Sequence, residues 1–272
     1  MPELPEVETT RRGISPHLQG RRIVALEVRE PRLRWPVDPA LTSLLPGCRL
    51  NAVRRRAKYL LIEVIEQGTL IWHLGMSGSL RICAEAEPPM AHDHVDLCLE
   101  NEQRLRFNDP RRFGFLLWTR SPPEEHPQLA RLGPEPLSGA FDGAWLHRRS
   151  RGRQVAVKNF LMNPEIVVGV GNIYACEALY AAGIHPARPA GRIARPRYER
   201  LALRVQELLE SAIREGGTTL RDFVNSDGRP GYFRQSLQVY GREGQSCRSC
   251  GASIRRRIIG QRSSFYCPRC QR

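Results

Sequence analysis

The chain has 272 residues, 41% of them hydrophobic, enough to bury a substantial core in one large domain or two modest ones. No apolar run approaches a membrane span and no charged-then-apolar leader opens the chain, so a soluble intracellular protein is expected. With 42 Lys and Arg against 28 Asp and Glu, the formal net charge is +14 and the pI about 10.1. Such a balance points to a polyanionic partner, nucleic acid above all, while the absence of a basic amphipathic stretch argues against a membrane surface.

The chain opens Met1-Pro2-Glu3-Leu4-Pro5-Glu6-Val7-Glu8. Removal of Met1, usual before proline, leaves a secondary amine with the Glu3 carboxylate one residue away. An α-amino group has a pKa near 8 against ~10.4 for lysine, so far more of it is unprotonated at neutral pH. Such an amine can attack carbon and form an iminium. Pro5 and the acidic residues equally suit a helix start, and Leu4, Val7 and Ile14 predict a helix over 4–14 with Arg11-Arg12 near its end.

Eight short β-type runs follow, at 22–28, 48–53, 59–65, 69–74, 79–83, 94–99, 104–107 and 113–117, with turn residues between them, predicting a β-sandwich or barrel. Lysine occurs only at Lys58 and Lys158, all other basic residues being arginine. Either those two positions need a compact ammonium or a group able to lose its proton, or they are chance survivors. Cys48, Cys83, Cys98 and Cys176 lie in apolar surroundings and read as reduced core residues.

Residues 121–139 are rich in Pro and Gly and read as a linker; 140–215 are helical in pattern. Gly169-Val170-Gly171-Asn172 precedes a predicted helix to Ala182, with Asn172 as cap, an arrangement suited to a phosphate or to an ordinary tight turn. Leu201, Val205, Leu208 and Ala212 fall on one face of a second helix between Pro196 and Gly216-Gly217. The stretch 216–231, glycine-rich at both ends, reads as a mobile loop over a site. Last, Cys247, Cys250, Cys267 and Cys270 have the spacing of a four-thiolate zinc hairpin, with no ligand position open to water. The segment 247–272 holds seven arginines and no acid, suiting a rigid basic hairpin on DNA or a plain structural staple.

Taken together, several stretches carry a resemblance: PELPEVET at 2–9, RRAKYL at 55–60, HLGMSGSL at 73–80, HDHVDL at 92–97, DPRRFG at 109–114, GVGNIYACEAL at 169–179, GGTTLRDF at 216–223, QVYGREG at 238–244 and the tail GQRSSFYCPRCQR. They run in one order along nearly the whole chain, which closely resembles bacterial formamidopyrimidine-DNA glycosylase, the base-excision enzyme for oxidised purines. The endonuclease VIII type shares the layout, excises oxidised pyrimidines and usually carries Gly at the position of Leu4, so the opening favours the purine branch. A non-catalytic zinc-ribbon DNA-binding protein is the alternative of another class, opposed by the joint presence of Pro2, Glu3 and Lys58. Ser264, Cys176 and the stretch Met162-Asn163-Pro164 depart from the family pattern, and they leave lesion preference open.

The resemblance implies an α+β multidomain fold: a two-layer β-sandwich with an N-terminal helix at 2–120, a linker at 121–139, a helix–two-turn–helix domain at 140–236 and a zinc hairpin at 237–272, with DNA lying across the cleft between the halves. It implies a bifunctional glycosylase and abasic-site lyase, with Pro2 as nucleophile, Glu3 as general acid, Lys58 in the elimination steps and Arg262 gripping a phosphate for δ-elimination. His73, His92, Arg111, Arg153, Asn172 and Tyr240 match DNA-contacting positions. Met76, Arg111 and Phe113 match the wedge that fills the gap left by an extruded nucleotide, and Glu6 a lesion contact or, equally, a helix-dipole residue. One structural zinc, a duplex carrying oxidised bases or abasic sites as partner, a monomeric state, and a bacterial cytoplasm with nucleoid association complete the expectation.

Overall fold

The computed structural model describes residues 2–216 and 237–272, so the loop expected at 216–231 lies, apart from Gly216, outside the described residues. These form two compact units, residues 2–130 with 215–216, and residues 131–214 with 237–272.

The first unit begins with α1 (Leu4–Leu18), whose inner face buries Leu4, Val7, Ile14 and Leu18. The helix runs a turn past its predicted end although Pro16 forfeits one backbone bond, because Leu18 extends the buried stripe. Then come β1 (Ile23–Val28), the one-turn α2 (Leu41–Leu44), β2 (Leu50–Arg56), β3 (Tyr59–Val64), β4 (Gly68–His73), β5 (Ser79–Ala84), β6 (Asp93–Leu99), β7 (Gln103–Asn108) and β8 (Phe115–Thr119). They build two antiparallel four-stranded sheets, ordered β1-β6-β7-β5 and β2-β3-β4-β8, in the predicted two-layer sandwich. Inward residues of both sheets, among them Leu60, Ile62, Trp72, Val95, Leu97, Leu105 and Phe107, share one core with Val7, Ile14 and Leu18 of α1.

Strand β6 is buried on both faces, which alternation alone does not anticipate. Its outer face carries Asp93 and Asp96, with Asp96 paired to Arg106 at 2.8 Å and to Arg29 at 2.6 Å, and Asp93 to Arg81 at 2.9 Å. Arg106 also donates to the carbonyls of Glu87 and Pro88 at 3.0 and 3.1 Å, drawing the β5–β6 connection over the sheet. Buried charges persist only when paired and hydrogen-bonded, as these are. Cys83, Cys98 and Cys176 are buried free thiols; Cys48 is half-buried.

The second unit contains α3 (Gly143–Ser150), capped by Asp142, which accepts from the Trp145 N–H at 2.6 Å. It continues with α4 (Val157–Leu161), α5 (Asn172–Ala181), α6 (Arg195–Arg214) and a hairpin of β9 (Arg255–Ile259) and β10 (Arg262–Tyr266). Helix α6 packs on α3 and α5, and α5 also meets β10. Of the predicted α6 stripe, Leu201, Val205 and Ala212 are buried, while Leu208 is only half-buried and Leu209 takes the inner place. The boundary between units falls after Ala130, inside the stretch expected as a linker. Its second part is folded onto the helical unit: Gly133 N–H donates to Pro164 O at 2.8 Å and Val168 N–H to Pro134 O at 3.2 Å. Among the described residues no helix is long and apolar enough to cross a membrane.

Candidate active site and metal centre

In the first unit, Pro2, Glu3 and Glu6 are all buried at the start of α1. The Glu3 N–H donates to Glu6 Oε2 at 2.8 Å, one arm of a capping box. Glu6 therefore closes the helix start and fixes the backbone that carries Glu3. One turn on, Glu8 binds three guanidiniums, those of Arg11 at 2.9 Å, Arg12 at 2.9 Å and Arg55 at 3.2 Å. Burial pushes the Glu8 carboxyl up, but Arg11, Arg12 and Arg55 more than reverse it, and its pKa is lowered.

Arg55 leads to Lys58. Strands β2 and β3 pair as far as Arg56 opposite Tyr59, leaving Ala57-Lys58 as a two-residue turn, with Ala57 at φ 55°. The Arg55 guanidinium donates to Ala57 O at 2.9 Å, so Lys58 sits half-buried on a turn tied back to α1. Next to it, Tyr59 pairs with His73 across β3 and β4. The His73 ring stacks on Phe115, with centroids 5.1 Å apart, and Nδ1 accepts from the Gly75 N–H at 3.0 Å. Burial, reinforced by the positive charges of Lys58 and Arg34, lowers its pKa to about 4. His73 is thus a neutral ring with its proton on Nε2.

The expected wedge residues lie on two adjoining turns. Asp109, fully buried, accepts from Ser77 Oγ at 3.0 Å, from the Gly114 N–H at 2.7 Å and from the Arg111 N–H at 3.3 Å. The turns touch so closely that a Cβ on Gly75 would lie 2.3 Å from the Gly114 nitrogen. This clamp explains why β8 starts at Phe115 rather than at residue 113. Met76 and Phe113 remain 38% and 42% exposed, and Arg111 lies over the Phe113 ring at 4.9 Å. His92 is exposed at φ 70°, its carbonyl accepting from the Asp109 N–H at 3.0 Å.

In the second unit, Asn172 is the first residue of α5, and Gly171 takes the cap position expected of Asn172. The Asn172 side chain turns instead to the hairpin, donating from Nδ2 to Ser263 O at 3.0 Å and to Tyr240 Oη at 3.4 Å. A residue the sequence did not single out, Glu177, lies on the same helix, buried. Its carboxylate accepts from the N–H groups of Gln238, Val239 and Tyr240 at 2.8, 2.9 and 2.8 Å. The signal was a lone acid amid the apolar residues of a buried helix. Arg262 is exposed at the start of β10, directly after a two-residue turn in which Gly260 and Gln261 both have positive φ. Lys158 is fully buried and donates to Ser264 Oγ at 2.6 Å and to Ser263 O at 3.3 Å, pinning the strand that carries Arg262. Arg153 is exposed between α3 and α4, its guanidinium 5.9 Å from the centre of the Phe160 ring.

The four hairpin sulfurs lie within 4.8 Å of one another, with Cys247–Cys270 at 3.9 Å and Cys250–Cys267 at 3.4 Å. A tetrahedral zinc with bonds of about 2.3 Å puts its sulfurs about 3.8 Å apart, so the cluster fits one ion held entirely by protein. Zinc there is structural, and fixes the hairpin on which Arg262 stands.

A β-sandwich opening on Pro2-Glu3, a helix–two-turn–helix unit and a basic four-cysteine hairpin together define a zinc-stapled DNA glycosylase. Three family models match in order: the formamidopyrimidine-DNA glycosylase N-terminal domain over residues 1–116, its H2TH domain over 132–224, and the zinc finger found in FPG and IleRS over 244–272. The chain belongs to the formamidopyrimidine-DNA glycosylase family, the enzymes that open base excision repair of oxidised DNA. It is 63% identical to the formamidopyrimidine-DNA glycosylase of Methylococcus capsulatus and 61% identical to that of Syntrophotalea carbinolica, in each case over the whole of both chains. Among solved structures it is similar to the MutM (Fpg) protein of Thermus thermophilus, with 39% identity, a TM-score of 0.89, and 99% and 98% of the two chains covered. It is also similar to wild-type Lactococcus lactis Fpg in complex with DNA containing N7-benzyl-Fapy-dG, with 33% identity, a TM-score of 0.91 and both chains covered entirely.

Proposed function

We propose that Pro2, freed by removal of Met1, is the nucleophile of a bifunctional glycosylase and abasic-site lyase acting on oxidised purines, 8-oxoguanine and formamidopyrimidines, in duplex DNA. The observation that carries this reading is the fixed start of α1: Glu3 is buried beside Pro2, its N–H is held by Glu6, and Glu8 with Arg55 ties the same helix to the Lys58 turn.

The damaged nucleotide first leaves the stack, at a cost of a few kcal/mol. Met76 and Phe113 fill the space with apolar surface, and Arg111 hydrogen-bonds the base left opposite. The Pro2 nitrogen attacks C1′ and the C1′–base bond breaks, its electron pair leaving with the base, which takes up the proton shed by the amine. Glu3 protonates the sugar ring oxygen, the C1′–O4′ bond opens, and a C1′–N iminium forms. The C1′–N iminium acidifies the C2′ proton. Loss of that proton expels the 3′ phosphate, and loss of a second proton expels the 5′ phosphate. Water then hydrolyses the iminium, freeing the Pro2 amine and leaving the sugar remnant as an unsaturated aldehyde. Lys58 serves the elimination steps, where a compact ammonium able to exchange its proton is required. His73, His92, Arg153, Asn172, Tyr240 and Arg262 bind the DNA backbone, Arg262 gripping the phosphate that leaves last. The extent of the lesion loop 216–231 and the domain limits 2–120, 121–139, 140–236 and 237–272 belong to the same reading, as does action on the nucleoid in a bacterial cytoplasm.

Borohydride trapping on a duplex carrying 8-oxoguanine, followed by peptide mapping, tests the assignment. The reduced adduct is expected on Pro2 of the Met1-free chain. An adduct on another side chain, or none, overturns it. Faster excision of thymine glycol than of 8-oxoguanine would instead assign the chain to the pyrimidine branch.

A further inference from the structure

The zinc hairpin has two knuckles, and each is tied to α5 or to the turn that follows it. The second, Cys267–Cys270, is tied through Gln271. Its Oε1 accepts from the Cys267 N–H at 2.8 Å, and its Nε2 donates to Ile184 O at 2.9 Å. The Arg272 N–H adds a bond to Gly183 O at 3.1 Å. The first knuckle, Cys247–Cys250, meets α5 through Tyr180, whose ring packs against the core shared by Cys176, Val239, Cys247, Ile254 and Cys267. Its hydroxyl lies 3.2 Å from Cys247 Sγ and 2.7 Å from Ser249 Oγ.

We propose that Tyr180 is a positioning residue of the metal centre: with Ser249 it holds the zinc ligand Cys247 through an outer hydrogen bond to the sulfur. With zinc bound, Cys247 is a thiolate and can only accept. The Tyr180 O–H therefore donates to sulfur, and its oxygen is left to accept from the Ser249 O–H. The order Ser249 to Tyr180 to Cys247 is fixed by the metal, and each bond polarises the next. A bond to a charged sulfur is stronger than one to a neutral thiol, so the hydroxyl contributes more to the loaded hairpin than to the empty one. It also withdraws charge from one sulfur of the four, shielding Cys247 from electrophiles. Tyr180 stands on the helix that begins with Asn172, whose side chain donates to Ser263 O at 3.0 Å, so one helix is bonded both to a zinc ligand and to the hairpin strand that carries Arg262.

Tyr180→Phe keeps the ring and removes only the hydroxyl; Ser249→Ala shortens the relay by one bond. Loss of an outer partner of a metal ligand typically costs about 10–100-fold in metal affinity. Zinc release from the loaded, full-length protein to a colorimetric chelator is expected to accelerate about tenfold or more in Tyr180→Phe, and by a smaller factor in Ser249→Ala. Alkylation of the zinc-loaded protein by iodoacetamide, mapped by mass spectrometry, is expected to rise selectively at Cys247. The ligand-field bands of the cobalt-substituted protein should shift, while loss of packing alone would leave their positions unchanged. Release within twofold of wild type in both variants overturns the proposal, as does acceleration of alkylation at all four cysteines alike. If Tyr180→Phe failed to fold, Ser249→Ala would decide by the same two readouts.

Discussion

The Arg55 guanidinium joins Glu8 to the turn that carries Lys58, donating to Glu8 Oε2 at 3.2 Å and to Ala57 O at 2.9 Å. Two pieces of the proposed catalytic machinery, the start of α1 and the Lys58 ammonium, are held in register by a side chain that takes no part in bond breaking. Orientation of this kind is worth much: a misplacement of about 1 Å can cost about a hundredfold in rate. Arg55→Ala is therefore expected to slow single-turnover strand scission by about tenfold or more, with the dissociation constant for lesion duplex changing much less. Arg55→Lys cannot span both acceptors with a fork and should recover little. Equal losses in scission and binding would show that Arg55 serves DNA contact instead.

His73 provides a pH test with a definite sign. Its pKa falls to about 4 through burial, aided by Lys58 and Arg34, while the unfolded chain titrates near the ordinary histidine value of 6.5. Between those values the unfolded state binds a proton that the folded state refuses. The contribution of this group to stability is therefore full above about pH 6.5 and declines as the pH drops toward 4. Denaturant titrations from pH 7 to 4 should show His73→Gln losing less stability over that window than the parent. An NMR titration should find the ring neutral, with the proton on Nε2, throughout the range of enzyme activity. A ring that protonates near pH 6.5 would remove the burial argument and the assignment of a neutral Nε2–H ring.

Asp109 predicts a defect in opening the duplex. Its carboxylate holds Ser77 and Gly114 together, and with them the turns bearing Met76, Arg111 and Phe113. Asp109→Ala leaves buried donors unpaired at a cost of about 1–3 kcal/mol each. Gly114→Ala attacks the same junction sterically, since its Cβ would lie 2.6 Å from Phe107 Cζ and 2.7 Å from His73 O. Both variants are expected to slow the fluorescence rise of 2-aminopurine placed beside the lesion, which reports loss of stacking. Abasic-site cleavage, which needs no base to be extruded, should suffer less. The idea fails if both substrates slow to the same degree.

The sandwich was legible from the sequence because short alternating runs between turn residues leave few other folds, and the cysteine spacing announced the metal centre. What stayed hidden depends on long-range partners. Nothing local in Glu177 shows that it will take three N–H groups from residues 61–63 positions away. Asn172 looked like a cap because its neighbours are glycines, but Ser263 O and Tyr240 Oη compete for the same side chain and Gly171 suffices at the helix start. Leu208 and Leu209 differ by only about 100° around a helix, so tertiary packing, not periodicity, decided which faces inward. Lys158 stood out solely as one of two lysines, and its role emerged only with Ser264, a residue that departs from the family pattern.

Lys158 gives the last prediction. Its ammonium, fully buried, holds Ser264 Oγ at 2.6 Å and Ser263 O at 3.3 Å, and Ser264 Oγ in turn donates to Arg262 O at 3.3 Å. Lys158 thus reaches the backbone of Arg262 through one hydroxyl. Lys158→Met keeps the volume but leaves those acceptors unserved, and the strand carrying Arg262 should loosen while the four cysteines stay in place. Zinc content is then expected to remain at one per chain, with the fraction of product stopped after β-elimination rising because Arg262 no longer grips the remaining phosphate. Lys158→Arg should not restore the ratio, since a planar guanidinium needs more room than a buried ammonium site provides. An unchanged ratio of β- to β,δ-elimination products in both variants would mean that Lys158 only supports the helical unit and that Arg262 is held from elsewhere.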